Sequence, residues 1–207
     1  MTAVMDDDAI GVLPATAPEP GRRNVVLVGS LLAVAAGATL IGGLLGGYLT
    51  ARDVSKADNV VWPPEGTALP NVALLVTYIG LLLSAFTAQW AYAAIRQDDR
   101  KGAYWALGAT AVLAACFLNG LTFVWDQLGL VAGSGPYANH VYAVTITHFV
   151  LVVVALVTFL VVGFRVFGGQ LSRNDSEALL SAVVVWHFVV AAGVIIWWTL
   201  WFLEGGP

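Results

Sequence analysis

Apolar residues fill five long windows of this chain, and the polar residues between them come in short clusters. The windows lie at about 24–50, 70–95, 102–126, 138–164 and 178–203, and Asp126 is the one charged residue inside them. Each exceeds the roughly 20 apolar residues that cross a ~30 Å hydrocarbon core. The pattern therefore predicts an all-α integral membrane bundle of five transmembrane helices. Residues 1–21 hold Asp6–Asp8, Pro14, Pro18 and Pro20 without apolar periodicity, which predicts a disordered tail ahead of a five-helix domain at 22–207. An acidic leader, a long first apolar run and further spans downstream argue against a cleaved signal.

Composition agrees with the windows. Of 207 residues, 59% are hydrophobic and 11% charged, whereas soluble domains carry charge on about a quarter of their residues. The nine Lys and Arg set an orientation. Arg22, Arg23, Arg96, Arg100, Lys101, Arg165 and Arg173 fall on one side of the spans, and Arg52 and Lys56 on the other. The positive-inside rule then places the N-terminus in the cytoplasm and the C-terminus outside, in a plasma membrane. The net charge of −4 comes mostly from the N-terminal tail and says little about partners. Cys116, the sole cysteine, falls within the third span and reads as a small core residue.

Helix one carries Gly29, Ala33 and Gly37 four apart, then Gly42 with Gly46 and Gly43 with Gly47. Small residues at that spacing admit a neighbouring backbone, which reads as packing inside one bundle. Helix five carries Trp186, Trp197, Trp198 and Trp201, the last three near its outer end, where indoles anchor at the membrane surface. Between helices one and two lies "NVVWPPEGTALP", residues 59–70. Trp62 suits an interfacial anchor, and Pro63–Pro64 force an extended entry. Gly66 permits a turn, and Pro70 fits the first turn of helix two. The segment reads as a rigid clip across the outer ends of helices one and two.

Downstream, "WPPEGTALPNVALLVTYIGLLLSAFTAQWAYAA" joins this Trp-Pro-Pro loop to a helix bearing Ser84-Ala85-Phe86-Thr87. "GGYLTAR" precedes the loop with Tyr48 and Arg52, "THFVLVVVAL" carries His148, and "VVVWHFVVAAGVIIW" carries Trp186, His187, Phe188 and Val189. In this order the motifs resemble subunit III of haem-copper respiratory oxidases (cytochrome c oxidase or quinol oxidase), in its short five-helix form, over about residues 24–203. The family pattern has a glutamate on its first core helix, where this chain has small residues around Gly37, and another near Phe123. It has a second histidine at position 151, here Leu151, and an aspartate at 190, here Val190. Every intramembrane carboxylate of the pattern is missing.

The resemblance implies a non-catalytic subunit that stabilises the catalytic subunit I of a terminal oxidase, with subunit II nearby, binds membrane lipid and supports proton uptake. Haem and copper are then expected in those partners and no cofactor in this chain. Tyr48, Arg52, Trp62, Pro63, Pro64, Thr87, His148, Trp186, His187 and Phe188 become the candidates for lipid or subunit contact. Two histidines near mid-span make a poor metal site, since three or four ligands are typical, while one hydrogen bond across the helices satisfies a neutral imidazole. His140 reads as solvated, Asp126 as a helix-end carboxylate, and Gln89, Asn119 and Thr122 as hydrogen-bonding groups between helices. No phosphate loop, nucleophile–base pair or basic strip for nucleic acid is present. A subunit III-like assembly or nitric oxide reductase-associated accessory protein stays open. So does a small transporter, which needs a polar pathway or broken helices.

Overall fold

The computed structural model describes residues 24–67 and 69–203. The predicted tail at 1–21 lies outside the described residues, as do Arg22 and Arg23. Five helices follow in order: α1 (Val25–Ala57), α2 (Asn71–Arg96), α3 (Arg100–Leu128), α4 (Pro136–Phe167) and α5 (Glu177–Trp197), the last continued by a π-helical stretch, Trp198–Phe202. All five are long and apolar enough to cross a membrane. α1 overruns its charge-free window by nearly two turns and α4 by about a turn in all, whereas α2 and α5, the latter with its π-helical stretch, keep to theirs within about a residue. Absence of charge marks the hydrocarbon slab, whereas backbone hydrogen bonding continues past it into Arg52–Ala57 and Arg165–Phe167.

One end of the bundle carries Arg96, Arg100, Lys101, Arg165 and Arg173; the other carries the Trp-Pro-Pro loop. These are called the basic end and the proline-loop end. At the basic end, Asp99 caps α3 by accepting from Gly102 N at 2.9 Å. Arg96 and Arg100 donate to the carbonyls of Arg173 and Leu171, so the α2–α3 turn holds the α4–α5 loop. Glu177, in the first turn of α5, accepts from Leu27 N at 3.1 Å. A carboxylate there satisfies one of the orphan donors at the start of α1 and suits its dipole.

α5 is central, packed on α1, α2 and α4, while α2 and α3 pair along their lengths. α1 rests on α4 and α5 and makes no extended contact with α2. The proline-rich segment therefore joins two helices that do not pack extensively on each other. The buried stripe of α1 is Gly37, Ile41, Leu45 and Tyr48, one face at helical spacing. Gly42, Gly43 and Gly46 fall on the far side of that stripe, and nothing approaches where their Cβ atoms would be. Packing inside the bundle thus uses Gly37, with Gly47 lying near His140, and not the rest of the glycine pattern.

Two further expectations are corrected. Cys116 is exposed, because it faces outward from α3 between buried Ala114 and Phe117. Of the tryptophans ending α5, Trp198 faces out, but Trp201 is 2% exposed and packs on Tyr78 with ring centroids 5.7 Å apart. The wider π-helical turn resets the register there, bringing Thr199, Leu200 and Trp201 inward.

Candidate functional site

The motif residues form three polar junctions between helices. The first is an aromatic plug at the proline-loop end. Trp62 is buried and donates its indole N–H to the Tyr48 hydroxyl at 3.2 Å. Its ring stands edge-on to Tyr48 at 5.4 Å and to Tyr137 at 5.1 Å. Trp62 is thus no interfacial anchor; the loop turns it inward over α1 and α4. Pro63 follows through a cis peptide bond. The Pro64 carbonyl accepts from the Thr67 backbone and hydroxyl, closing a turn in which Gly66 adopts φ 82°. A side chain at that φ is strained, so glycine serves here. Pro70 stands just before α2, its carbonyl taking the first helical bond from Leu74 N. Arg52 lies one turn beyond Tyr48, half-buried. A recess of about 620 Å³ lies between the loop and the start of α4, walled by Trp62, Pro64, Leu130 and Tyr137 and rimmed by Asp58 and Glu65. Tyr137 was not among the candidates; an aromatic directly after the Gly135-Pro136 helix start was its only signal.

The second junction joins α2, α3 and α5 toward the basic end. Ser84 is fully buried, donates to the Leu81 carbonyl and accepts from the Trp186 indole at 3.0 Å. Thr87 donates to the Ser84 carbonyl, and its hydroxyl lies 2.7 Å from that of Thr110. Thr110, buried on α3, also bonds the Ala106 carbonyl. Two separate motifs, Ser-x-x-Thr and Trp-His-Phe, therefore meet in one network.

The third centres on His148, which is fully buried. Its Nε2 lies 2.9 Å from the Val189 carbonyl of α5, so that nitrogen carries the proton and donates. Phe117 stands edge-on to the ring at 5.5 Å, and Gly193 clears space beside it. A Cβ at residue 193 would lie 2.8 Å from Leu81 and 3.0 Å from His148. His187 does not join His148. It turns to its own helix, with Nδ1 2.8 Å from the Val183 carbonyl. The cross-helix bond belongs to His148 alone.

The family's missing carboxylate on α1 has a steric counterpart. Phe188 packs so closely on Gly37 that a Cβ there would come within 2.7 Å of its ring. The space a carboxylate side chain would occupy is filled by a phenyl ring. Val190 is buried in the core, and Phe123 faces outward. Asp126 is exposed, as expected. Thr122 bonds its own helix at Asn119 O, not a neighbour.

Chemically, these junctions tie helices together. The Ser84 hydroxyl is engaged by a carbonyl and an indole, which leaves no base to activate it. Among the described residues, no three His, Cys, Asp or Glu converge as metal ligands. A further junction binds α3 to α4, where the Trp125 indole donates to Thr145 at 2.9 Å.

Residues 26–204 match the family model described as cytochrome c oxidase subunit III. Similar proteins include the cytochrome c oxidase subunit 3 of Thermostichus vulcanus, 28% identical over 86% of this chain and 87% of its own length. That of Synechocystis sp. is 31% identical over 85% of this chain and 75% of its own. The Corynebacterium diphtheriae subunit 3 is 28% identical over 95% and 98%.

Proposed function

Because the chain belongs to the cytochrome c oxidase subunit III family, we propose that it serves as a non-catalytic membrane subunit of a haem-copper terminal oxidase. It packs on catalytic subunit I, with subunit II in the same complex, in a plasma membrane. Those partners hold the haems and copper and reduce oxygen. This chain stabilises them, binds lipid along its apolar flanks and shields the proton-uptake side. One observation carries the reading: the family-motif side chains Trp62, His148 and Trp186 tie separate elements together, as in the Trp186–Ser84 bond between α5 and α2. That is the work of a scaffold. Since no glutamate or aspartate stands inside the bundle at Gly37 or Val190, support of proton uptake here is by shielding, not by a titrating carboxylate.

The test is purification of the tagged chain in mild detergent, with a visible spectrum and partner masses. A haem-bearing subunit should co-purify, and the separated chain should show no Soret band. Recovery of the chain alone, with the mature oxidase intact without it, would favour an assembly factor. A Soret band on the separated chain that is lost in His148→Leu would overturn the scaffold reading.

A further inference from the structure

On the outer face of the α2–α3 pair, nearer the proline-loop end, lies an open groove of about 880 Å³. Its floor is made of small residues, Ala73 and Gly80 on α2 and Ala115 and Gly120 on α3. Gly120 lets the two backbones close up, because Thr77 occupies the place its Cβ would take. Exposed Val72 and Phe123 form the rims.

Two polar side chains line this otherwise apolar groove. Thr77 is 7% exposed, and among the described residues its hydroxyl has no hydrogen-bond partner. The Asn119 amide is exposed and likewise has no hydrogen-bond partner among the described residues. At ~1.5 Å per residue, Thr77 lies about 9 Å from the start of α2 and Asn119 about 13 Å from the end of α3. These helices overhang a ~30 Å core by roughly 5–7 Å at each end. Both groups therefore sit several ångströms inside the hydrocarbon, below the level of lipid ester carbonyls. An acyl chain there would leave an amide and a hydroxyl unsatisfied, which is costly.

We infer that this groove seats a transmembrane helix of a partner protein, apolar except for one hydrogen-bonding side chain at the depth of Asn119. Complementarity of hydrogen bonding selects this occupant. A helix can carry a Ser, Thr, Asn or Gln at any depth, and small floor residues admit its backbone closely. The amide offers two donors and a carbonyl, and the hydroxyl a donor and an acceptor, so either kind of polar partner is received. The assignment rests on the subunit role proposed above and names the surface through which it is exercised.

A photoreactive benzophenone side chain at position 123, in the full-length tagged chain in native membranes, tests it. Irradiation should yield an adduct with another oxidase subunit, mapped by mass to a transmembrane segment. Asn119→Leu should lower retention of that subunit in detergent by about threefold, the share of one membrane hydrogen bond, while Asn119→Gln retains more of it. If the tag recovers oxidase subunits but position 123 yields only lipid, a quinone-sized adduct or a second copy of this chain, the groove assignment is wrong and the family role stands. If no haem-bearing subunit is recovered at all, the role itself falls, and the groove assignment with it.

Discussion

At Gly37 the missing side chain is what permits the contact between α1 and α5. Gly37→Ala places a methyl 2.7 Å from the Phe188 ring and should cost about 1–3 kcal/mol by overpacking. Phe188→Ala in the same chain should recover part of that. Gly42→Ala, with nothing near its Cβ, should stay within about 0.5 kcal/mol. Denaturation of the purified protein in detergent reads all three. The histidines separate in the same way. His148→Leu removes the bond to Val189 and should destabilise by about 0.6 kcal/mol, up to ~1.7. His187→Gln gives up only a bond to its own helix and should be close to silent; equal losses at the two sites would contradict this division. Residue type and depth were legible for both histidines, since each falls mid-span in an apolar run. Azimuth was not, and azimuth decides which ring reaches another helix.

Among the elements, the loop 58–70 shows how a short segment can be misassigned. A Trp-Pro-Pro sequence at a helix end fits a surface anchor, yet Trp62 is drawn into a three-ring plug by Tyr48 and Tyr137. Trp62→Phe should lose chiefly the bond to Tyr48, about 1 kcal/mol. Trp62→Ala should cost roughly 3–5 kcal/mol by opening a cavity, and limited proteolysis should then cut the loop faster. An unchanged cleavage rate in Trp62→Ala would return the residue to the surface. At the opposite end, Glu177 links the starts of α5 and α1. Glu177→Gln should weaken that tie by about 0.3–1 kcal/mol, seen as faster hydrogen exchange at the Leu27 amide. The turn signals at Gly66 and Pro70 were readable because backbone restriction is local. The landing place of Trp62 depends on α4, far away in the chain.

For the whole molecule, orientation is the first quantity to measure. The basic end carries Arg96, Arg100, Lys101, Arg165 and Arg173, against Arg52 and Lys56 opposite. A cysteine placed at Gly66 in a Cys116→Ala background should be labelled from outside the cell only; labelling from the cytoplasm would invert the arrangement. The sequence by itself determined the five helices, their order and the family. A hydrocarbon slab excludes charge and unpaired backbone, so span number and length are written directly in composition. Tertiary structure alone decided which helices touch: α1 on α4 and α5, α2 on α3, and α5 at the centre. It also decided that Trp186 finds Ser84 from 102 positions away, and that Cys116 and most glycines of α1 face outward. The physical reason is that apolar residues cover both the inward and the lipid-facing sides of such a helix. Hydrophobic periodicity, which in water tells inside from outside, is muted, and steric fit and a few hydrogen bonds make that choice instead.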